Sequence, residues 1–266
     1  MRTFLDIGSH FGETVEVVLD PSLGFDRVVA FEPSKACLFK LEEIAARDSR
    51  LQICPFGLLD HDAELLLHNP GHVGASIYTG SMHEGETTEQ IVLKNAADWL
   101  RQNTTENEFI VAKLNCEGSE VAIVNSWLDA GLMGRMVNTL ITFDILEFPD
   151  LAYQESNLRK RLRAAGLQNV SFSEDVMIGT SHERRIRHWL STFGLDQPEM
   201  SRDRVERDFA DAFRRYSGRS GTFSRLEHRF KQQLGYDRLP MPAKRLLRGL
   251  KRLTGQNRER DVNSKS

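Results

Sequence analysis

The first third of the chain alternates short apolar runs with amphipathic segments, and this alternation constrains the fold more than any other feature. Residues 3–8, 27–33 and 51–56 are apolar runs of the length expected for buried strands. Between them, residues 12–20 and 34–47 place apolar side chains at helical spacing. The order β-α-β-α-β predicts an α/β fold, in which helices cover both faces of a mostly parallel sheet.

The alternation continues less regularly to about residue 180. Residues 60–98 predict short strands around a loop rich in Gly and Pro, followed by a short helix. Strands are predicted at 109–116 and 138–146, each followed by a helix. Residues 169–180 predict two strands around a Ser-Glu-Asp turn.

Beyond residue 180 the pattern is helical. We predict a first domain at residues 1–180, a helical extension at 181–254 and a disordered tail at 255–266. Residues 1–150 hold 24 acidic and 10 basic side chains, a net charge of −14, whereas the rest hold 14 acidic and 25 basic, a net charge of +11. Packing on the first domain is the simplest account of the basic helices. Contact with a protein or a membrane surface is the alternative, nucleic acid is not the expected partner, and the oligomeric state stays open.

The cysteines and the apolar runs narrow the class of protein. Cys37, Cys54 and Cys116 are far apart and form no CxxC pair, which argues against a disulfide framework and a structural zinc site. No apolar signal region precedes the first strand, and no run approaches the roughly 18 apolar residues of a membrane-spanning helix. We therefore expect a cytoplasmic protein.

The segment FLDIGSHFGET, residues 4–14, carries the most functional information. An apolar strand ends at Asp6, and Gly8 and Gly12 follow with three residues between them. Gly8 allows a tight turn and the close approach of a ligand, and Gly12 allows the next helix to pack near the strand. The dinucleotide fingerprint is GxGxxG, whereas this chain has GxxxG, which weakens an NAD interpretation.

A second clue is Glu32, which lies at the end of the second predicted strand. A carboxylate at that place can accept hydrogen bonds from two ribose hydroxyl groups. Together with the glycine loop it favours a nucleoside cofactor without a diphosphate, of which S-adenosylmethionine is the obvious example. The alternative is an ordinary α/β turn with an acidic residue there by chance.

Five segments in this order resemble the FkbM-type S-adenosylmethionine-dependent methyltransferases, over about residues 3–180: FLDIGSHFGET, VVAFEPS, LQICPFGLLDHD, IVLKNAADWL and KLNCEGSE. The Phe-Glu-Pro motif of the family is present at residues 31–33. In the glycine loop His10 stands where the family usually has Asn. In the last motif Asn115 stands where the family usually has Asp.

The resemblance implies a Rossmann-like class I methyltransferase fold. Its mostly parallel sheet would have seven strands, the last two forming a C-terminal antiparallel hairpin. Family members of known role mostly methylate hydroxyl groups of sugars and other small natural products. The cofactor residues that the resemblance implies are the loop residues Asp6, Gly8, Ser9, His10 and Gly12 at the methionine end, Glu32 and Pro33 at the ribose, and Phe56, Gly57 and Leu58 beside the adenine.

Methyl transfer to an alcohol needs alignment of the two reactants and a group that accepts the hydroxyl proton. We expect Asn115, Glu117, Asp144 and the loop at 68–83 on the acceptor side, beyond the carboxyl ends of the strands. Asn115 cannot accept a proton, so the base is expected to be Glu117 or a loop histidine, with His72 the candidate. Glu117 also has a structural alternative, as a helix cap or as an ion-pair partner of Lys113.

His68, His72 and His83 have no recognised metal-ligand spacing, and no metal is expected. The chain also lacks the Asn/Asp-Pro-Pro-Tyr/Phe motif and the Pro-Cys nucleophile of other methyltransferases, which favours O-methylation. Three hypotheses follow: an O-methyltransferase acting on a small molecule or saccharide, a nucleic-acid methyltransferase, and a non-catalytic protein that retains the fold.

Overall fold

The computed structural model describes residues 1–72, 74–78, 87–143 and 152–195. The strands are β1 (Arg2–Ile7), β2 (Arg27–Phe31), β3 (Leu51–Cys54), β4 (Gly57–Leu59), β5 (Ala63–His68), β6 (Thr88–Asn95), β7 (Phe109–Leu114), β8 (Met136–Ile141) and β9 (Val170–Phe172). The helices are α1 (Glu13–Val18), α2 (Lys35–Ala45), α3 (Ala96–Asn103), α4 (Glu120–Asp129), α5 (Ala152–Ala164), α6 (Ser173–Val176) and α7 (His182–Ser191).

The main sheet has the strand order β3-β2-β1-β7-β8-β9, and all of its neighbouring strands are parallel. The order reverses between β1 and β7, which are direct neighbours with Asp6 opposite Lys113. In open parallel sheets such a switch point leaves a crevice at the carboxyl ends of the strands. The α/β architecture expected from the sequence is therefore present, as a six-stranded sheet within the described residues.

Alternation along the strands divides the core between the two faces of the sheet. Leu5 and its neighbours on one face pack with α3, α4 and α5, where Trp127 is fully buried. Phe4 and its neighbours on the other face pack with α1, α2 and α7, where Trp189 is fully buried. Both indoles also donate a hydrogen bond, Trp127 to the Ala96 carbonyl at 3.1 Å and Trp189 to the Asn138 side chain at 2.8 Å. The N–H groups of these two fully buried indoles are therefore both paired.

Helix α7 lies beyond the segment that resembles the methyltransferase family, yet it packs into the core. Ile186, Trp189 and Leu190 are fully buried against α1 and the sheet. Full burial of each such side chain contributes roughly 1.5–3 kcal/mol. The beginning of the helical extension is thus part of the sheet domain's core.

A second sheet of three strands has the order β4-β6-β5, with β4 parallel and β5 antiparallel to β6. It also caps α2. Glu89 of β6 accepts hydrogen bonds from the Lys35 backbone N–H at 3.1 Å and from the Ser34 hydroxyl at 3.2 Å. Ser34 occupies the N-cap position, but its side chain makes no capping hydrogen bond. The cap therefore comes from a distant strand.

The predicted C-terminal hairpin is wrong. Val170–Phe172 forms β9, which pairs parallel to β8, and the Ser-Glu-Asp segment begins α6. Glu174 in the first turn of α6 forms an ion pair with Arg159 of α5, and Val176 packs against the α7 side of the core. These tertiary contacts, together with acidic residues at a helix start, outweigh the alternating pattern of the segment.

Several predictions lie outside the described residues: Asp144, His83, the helices after residue 195 and the tail at 255–266. Within the described ranges, none of the helices combines the length and apolar character needed to cross a membrane.

Candidate functional site

The loop after β1 and the loop after β7 meet at the switch point of the main sheet. Gly8 has φ +79°, and a Cβ atom there would lie 2.0 Å from the backbone oxygen of Asn115. The N–H groups of Gly8 and Ser9 both donate to the Phe31 carbonyl at 3.1 Å, and the Asn115 N–H donates to the Ile7 carbonyl at 3.0 Å. Only glycine allows this approach, so the predicted requirement for glycine at position 8 has a steric basis.

Asp6 and Lys113 form a buried ion pair beneath the two loops. Lys113 Nζ lies 3.0 Å from Asp6 Oδ1 and donates to the Gly8 carbonyl, also at 3.0 Å. Burial raises the pKa of Asp6, and the positive charge of Lys113 opposes that effect. The other carboxylate oxygen, Oδ2, has no hydrogen-bond partner among the described residues. The ion pair that the sequence allowed between Lys113 and Glu117 is thus replaced by one with Asp6.

Glu32 lies against the β1–α1 loop, as expected from its place at the end of β2. One carboxylate oxygen accepts from the His10 backbone N–H at 2.8 Å, and the other accepts from the Ser34 N–H at 2.9 Å. Burial raises the pKa of Glu32 to about 7, against the lowering effect of these two N–H groups. A carboxylate has about four acceptor positions, so two remain for further donors.

The rest of the glycine loop is held by short-range contacts. The Ser9 hydroxyl donates to the Asp6 carbonyl at 2.8 Å. Gly12 has φ +91°, and a Cβ atom there would lie 2.6 Å from Ile44 Cδ1 of α2. His10 has φ +49°, and its Nδ1 lies 3.1 Å from Glu13 Oε1. The loop therefore turns through three residues with left-handed backbone geometry, Gly8, His10 and Gly12.

The three residues predicted beside the adenine have different environments. Phe56 is half-buried, with its ring centroid 6.0 Å from that of Phe31. Leu58 is buried in the core, and Gly57 lies in β4, where a Cβ atom would meet Leu93 at 2.6 Å and Pro33 at 3.6 Å. Of the three, Phe56 alone keeps a partly exposed side chain, next to the strand that ends at Glu32.

The loop between β7 and α4 is held by Glu120, a residue that the sequence analysis did not select. Its two oxygens accept from the Cys116 N–H at 2.6 Å and the Gly118 N–H at 3.0 Å. Glu120 is fully buried, which raises its pKa. These N–H groups are thus bound by Glu120 and not by Glu117. A Glu at the first helical position, after Gly-Ser, is a signal that could have identified it.

The predicted acceptor-side residues are only partly brought together. Asn115 is half-buried at the switch point, and its side chain makes no hydrogen bond among the described residues. Glu117, two residues further along the chain, has φ +53°, and its carbonyl accepts from the Ser76 hydroxyl at 2.6 Å. His72 is exposed, on the segment that carries Ser76, and the structure gives no contact between its ring and either residue.

His182, at the first position of α7, was missed by the sequence analysis. Its Nε2 lies 2.9 Å from the hydroxyl of Thr14, in the first turn of α1. The residue is exposed overall, but partial shielding on the α1 side lowers its pKa, and the positive charge of Lys113 adds to this effect. Ser181 and Glu183 mark a helix start in the sequence, but no local signal indicates contact with α1.

Comparison with known proteins gives little further information. No protein-family model matches the chain, and no curated protein matches it. Among solved structures, the chain is similar to the crystal structure of the methyltransferase FkbM from Methylobacillus flagellatus KT, with 16% sequence identity and a TM-score of 0.34. The similarity covers 49% of this chain and 30% of that chain. This chain therefore spans less than a third of the length of the protein that it matches.

Proposed function

We propose that this protein is an S-adenosylmethionine-dependent methyltransferase that transfers a methyl group to a hydroxyl group of a small molecule or saccharide. The observation that carries the proposal is the position of Glu32. Its buried carboxylate lies at the end of β2, against the backbone of the glycine loop, with acceptor capacity left over. The loop itself lies at the switch point of the sheet, where α/β folds bind nucleotides.

The residues of the site fit such a cofactor. Glu32 would accept from the ribose hydroxyls, the loop from Asp6 to Gly12 would hold the methionine portion, and Phe56 would lie beside the adenine. One shielded carboxylate oxygen, Asp6 Oδ2, has no hydrogen-bond partner among the described residues. The amino and hydroxyl groups of a bound nucleoside are donors of the kind that Asp6 lacks.

A dinucleotide fits less well. The loop has GxxxG spacing, and α1, which follows it, has only six residues. Dinucleotide sites place the pyrophosphate on the N-terminus of a helix that follows GxGxxG. A nucleoside with a short charged tail needs no such cradle.

The bound cofactor would supply a methyl group already activated on a sulfonium, so the protein mainly has to align the acceptor. The amide of Asn115 is half-buried and makes no hydrogen bond among the described residues, which supports assigning it the orientation of an acceptor hydroxyl. Glu117 and His72 remain candidate acceptor-side groups.

The first test is calorimetric titration of the protein with S-adenosylmethionine and with S-adenosylhomocysteine. We expect both to bind, and we expect Glu32→Ala to weaken both at least about 10-fold, because the ribose hydroxyls lose their acceptor. The matched control is Glu43→Ala, an exposed Glu of α2 paired with Lys40, which should bind like wild type. Absence of binding by the wild-type protein, or equal binding by Glu32→Ala, would contradict the cofactor assignment.

The second test identifies the acceptor. The protein is incubated with methyl-labelled S-adenosylmethionine and either a panel of oligosaccharides or a cell extract. Label in an alkali-stable ether on a hydroxyl group supports O-methylation. Label in nitrogen or carbon positions, or no transfer in spite of cofactor binding, would contradict it.

Nucleic acid is the second acceptor class, and the net charge of +11 on residues 151–266 favours it. This alternative predicts label in RNA or DNA and binding that weakens steeply between 50 and 200 mM salt. Binding that ignores salt would exclude it.

A further inference from the structure

His10 has a backbone conformation that is uncommon for residues other than glycine. Its φ of +49° lies in the left-handed region, which side chains with a Cβ adopt at a cost. Asn, the usual residue here in the family that the sequence resembles, adopts this region more readily than most residues. In this chain the left-handed position of the loop is occupied by an imidazole side chain.

The imidazole is paired at one nitrogen and unpaired at the other. Nδ1 lies 3.1 Å from Glu13 Oε1, while Nε2 is shielded from water and has no hydrogen-bond partner among the described residues. A shielded polar atom without a partner has a free-energy cost. A bound molecule that supplies the partner would remove this cost.

The pair has the arrangement of a base and the group that orients it. Burial alone would raise the pKa of Glu13, but hydrogen bonds from its own backbone N–H and from His10 lower it, so Glu13 is a carboxylate at neutral pH. An ionised carboxylate at Nδ1 stabilises the tautomer with the proton on Nδ1. The lone pair is then left on Nε2, the nitrogen without a partner.

His10 is also anchored to the candidate site through its backbone. The His10 backbone N–H donates to Glu32 Oε2 at 2.8 Å, which fixes the residue beside the predicted ribose position. His72, the base expected from the sequence, is exposed and has no such orienting carboxylate in the described structure. His10 therefore combines what His72 lacks: a backbone fixed at the site, a carboxylate partner and a shielded nitrogen without a hydrogen-bond partner.

We propose that His10 is the general base of the reaction, taking the proton of the acceptor hydroxyl on Nε2, with Glu13 as its positioning residue. This inference rests on the proposed function. In the step, the acceptor oxygen forms a bond to the methyl carbon as the bond from that carbon to sulfur breaks. The O–H proton passes to His10 Nε2, and the cofactor leaves as a neutral thioether. The imidazolium then forms beside Glu13, whose negative charge stabilises it.

Other titratable groups surround His10 and must be separated from it. Glu13 of α1 contacts its ring, and Glu32, just after β2, contacts its backbone N–H. The Asp6–Lys113 pair lies beneath the loop, and His182 of α7 contacts α1 at Thr14. Glu32 has a pKa of about 7, so its ionisation can also change the activity of the wild-type protein within the measured pH range. The limb that belongs to His10 is the one lost on its substitution.

The central variant is His10→Asn, which tolerates the left-handed backbone but cannot accept a proton at neutral pH. The rate of label transfer from S-adenosylmethionine to the acceptor fraction of the extract is measured at saturating cofactor, between pH 5.5 and 8.5. We expect His10→Asn to lower this rate at least about 100-fold and to remove one limb of the pH profile, with the affinity for S-adenosylhomocysteine changed less than about threefold.

Three further variants complete the comparison. Glu13→Gln keeps the size of the side chain and should lower the rate at least about 10-fold, because the tautomer of His10 is no longer fixed. His182→Asn should retain more than about half of the wild-type rate. His188→Asn, at the other end of α7, is the matched control and should behave like wild type.

A nitrogen NMR measurement tests the same inference without an acceptor. In the complex with S-adenosylhomocysteine, we expect the His10 proton on Nδ1 and an unprotonated Nε2. A proton on Nε2 in that complex would overturn the proposal, as would wild-type transfer rates in His10→Asn or loss of cofactor affinity that accounts for its loss of rate. If the wild-type protein binds no cofactor at all, the proposed function fails, whatever the tautomer of His10.

Discussion

Two loops meet at the switch point of the sheet, and each is held by a buried carboxylate that accepts from two backbone N–H groups. Glu120 binds Cys116 and Gly118, both within four residues of itself. Glu32 binds Ser34 and also His10, which is 22 residues away on a different loop. The chemistry is the same in both, but Glu120 closes its own loop, whereas Glu32 connects two segments.

Burial separates the two carboxylates further. Glu120 is 0% exposed, whereas Glu32 is 7% exposed beside the glycine loop. Glu120 therefore serves the fold, while Glu32 keeps a small exposed area beside the loop. The comparison teaches that, of these two buried acids, the one that keeps exposed acceptor capacity is the functional candidate.

The substitution expected to lower the free energy of unfolding most is Glu120→Ala. Two buried N–H groups would lose their partner at roughly 1–3 kcal/mol each, and a cavity would remain. We expect the free energy of unfolding, measured with urea, to fall by about 4 kcal/mol. Glu106→Ala, at an exposed residue of the loop before β7, should cost less than about 1 kcal/mol. Equal costs for the two variants would show that Glu120 does not hold the loop.

The next effect concerns Glu32 and pH. Because its pKa in the folded protein is about 7, against an ordinary value of 4.5, the folded state binds the proton more tightly than the unfolded state. Its stabilising effect is complete below pH 4.5 and is lost as the pH rises to about 7, by roughly 3 kcal/mol at most. Urea unfolding at several pH values should show this decline.

Asp6 and Glu120 also have raised pKa values and contribute with the same sign. Glu32→Gln cannot titrate at this position. The contribution of Glu32 to the decline in the free energy of unfolding is therefore the difference between the decline in wild type and the decline in Glu32→Gln. A decline of the same size in both proteins would show that Glu32 is ionised at low pH in the fold. Binding should show the opposite pH dependence, because the ribose hydroxyls donate to the ionised carboxylate of Glu32. Cofactor affinity should therefore rise as the pH increases through about 7.

The smallest expected effect is on Ser76→Ala, which removes the hydrogen bond to the Glu117 carbonyl. We expect a loss of about 1 kcal/mol in the free energy of unfolding. Hydrogen exchange should show faster exchange at residues 116–118 and unchanged exchange at His10. Equal changes in both loops would show that the two are coupled and would weaken the distinction drawn between Glu32 and Glu120.

Local patterns in the sequence were sufficient for most elements of the main sheet and for the glycine loop. A short apolar run that marks a buried strand is a property of consecutive residues. The strands β1, β2, β3 and β7 therefore lie where the apolar runs predicted them. The positions of Gly8 and Gly12 depend on backbone sterics, and Glu32 follows directly from the end of its strand. These features are encoded within a few residues, which is why they could be predicted.

The tertiary structure alone decided the partners across the fold. Lys113 binds the Gly8 carbonyl 105 residues away, Glu89 caps a helix more than 50 residues away, and His182 reaches Thr14 across 168 residues. Each contact depends on which strands and helices become neighbours, and no local pattern records that choice. The same reason explains why Ser173–Val176 became a helix and why His10, selected from the sequence for its place in the loop, gained a carboxylate partner and an unpaired nitrogen only in the fold.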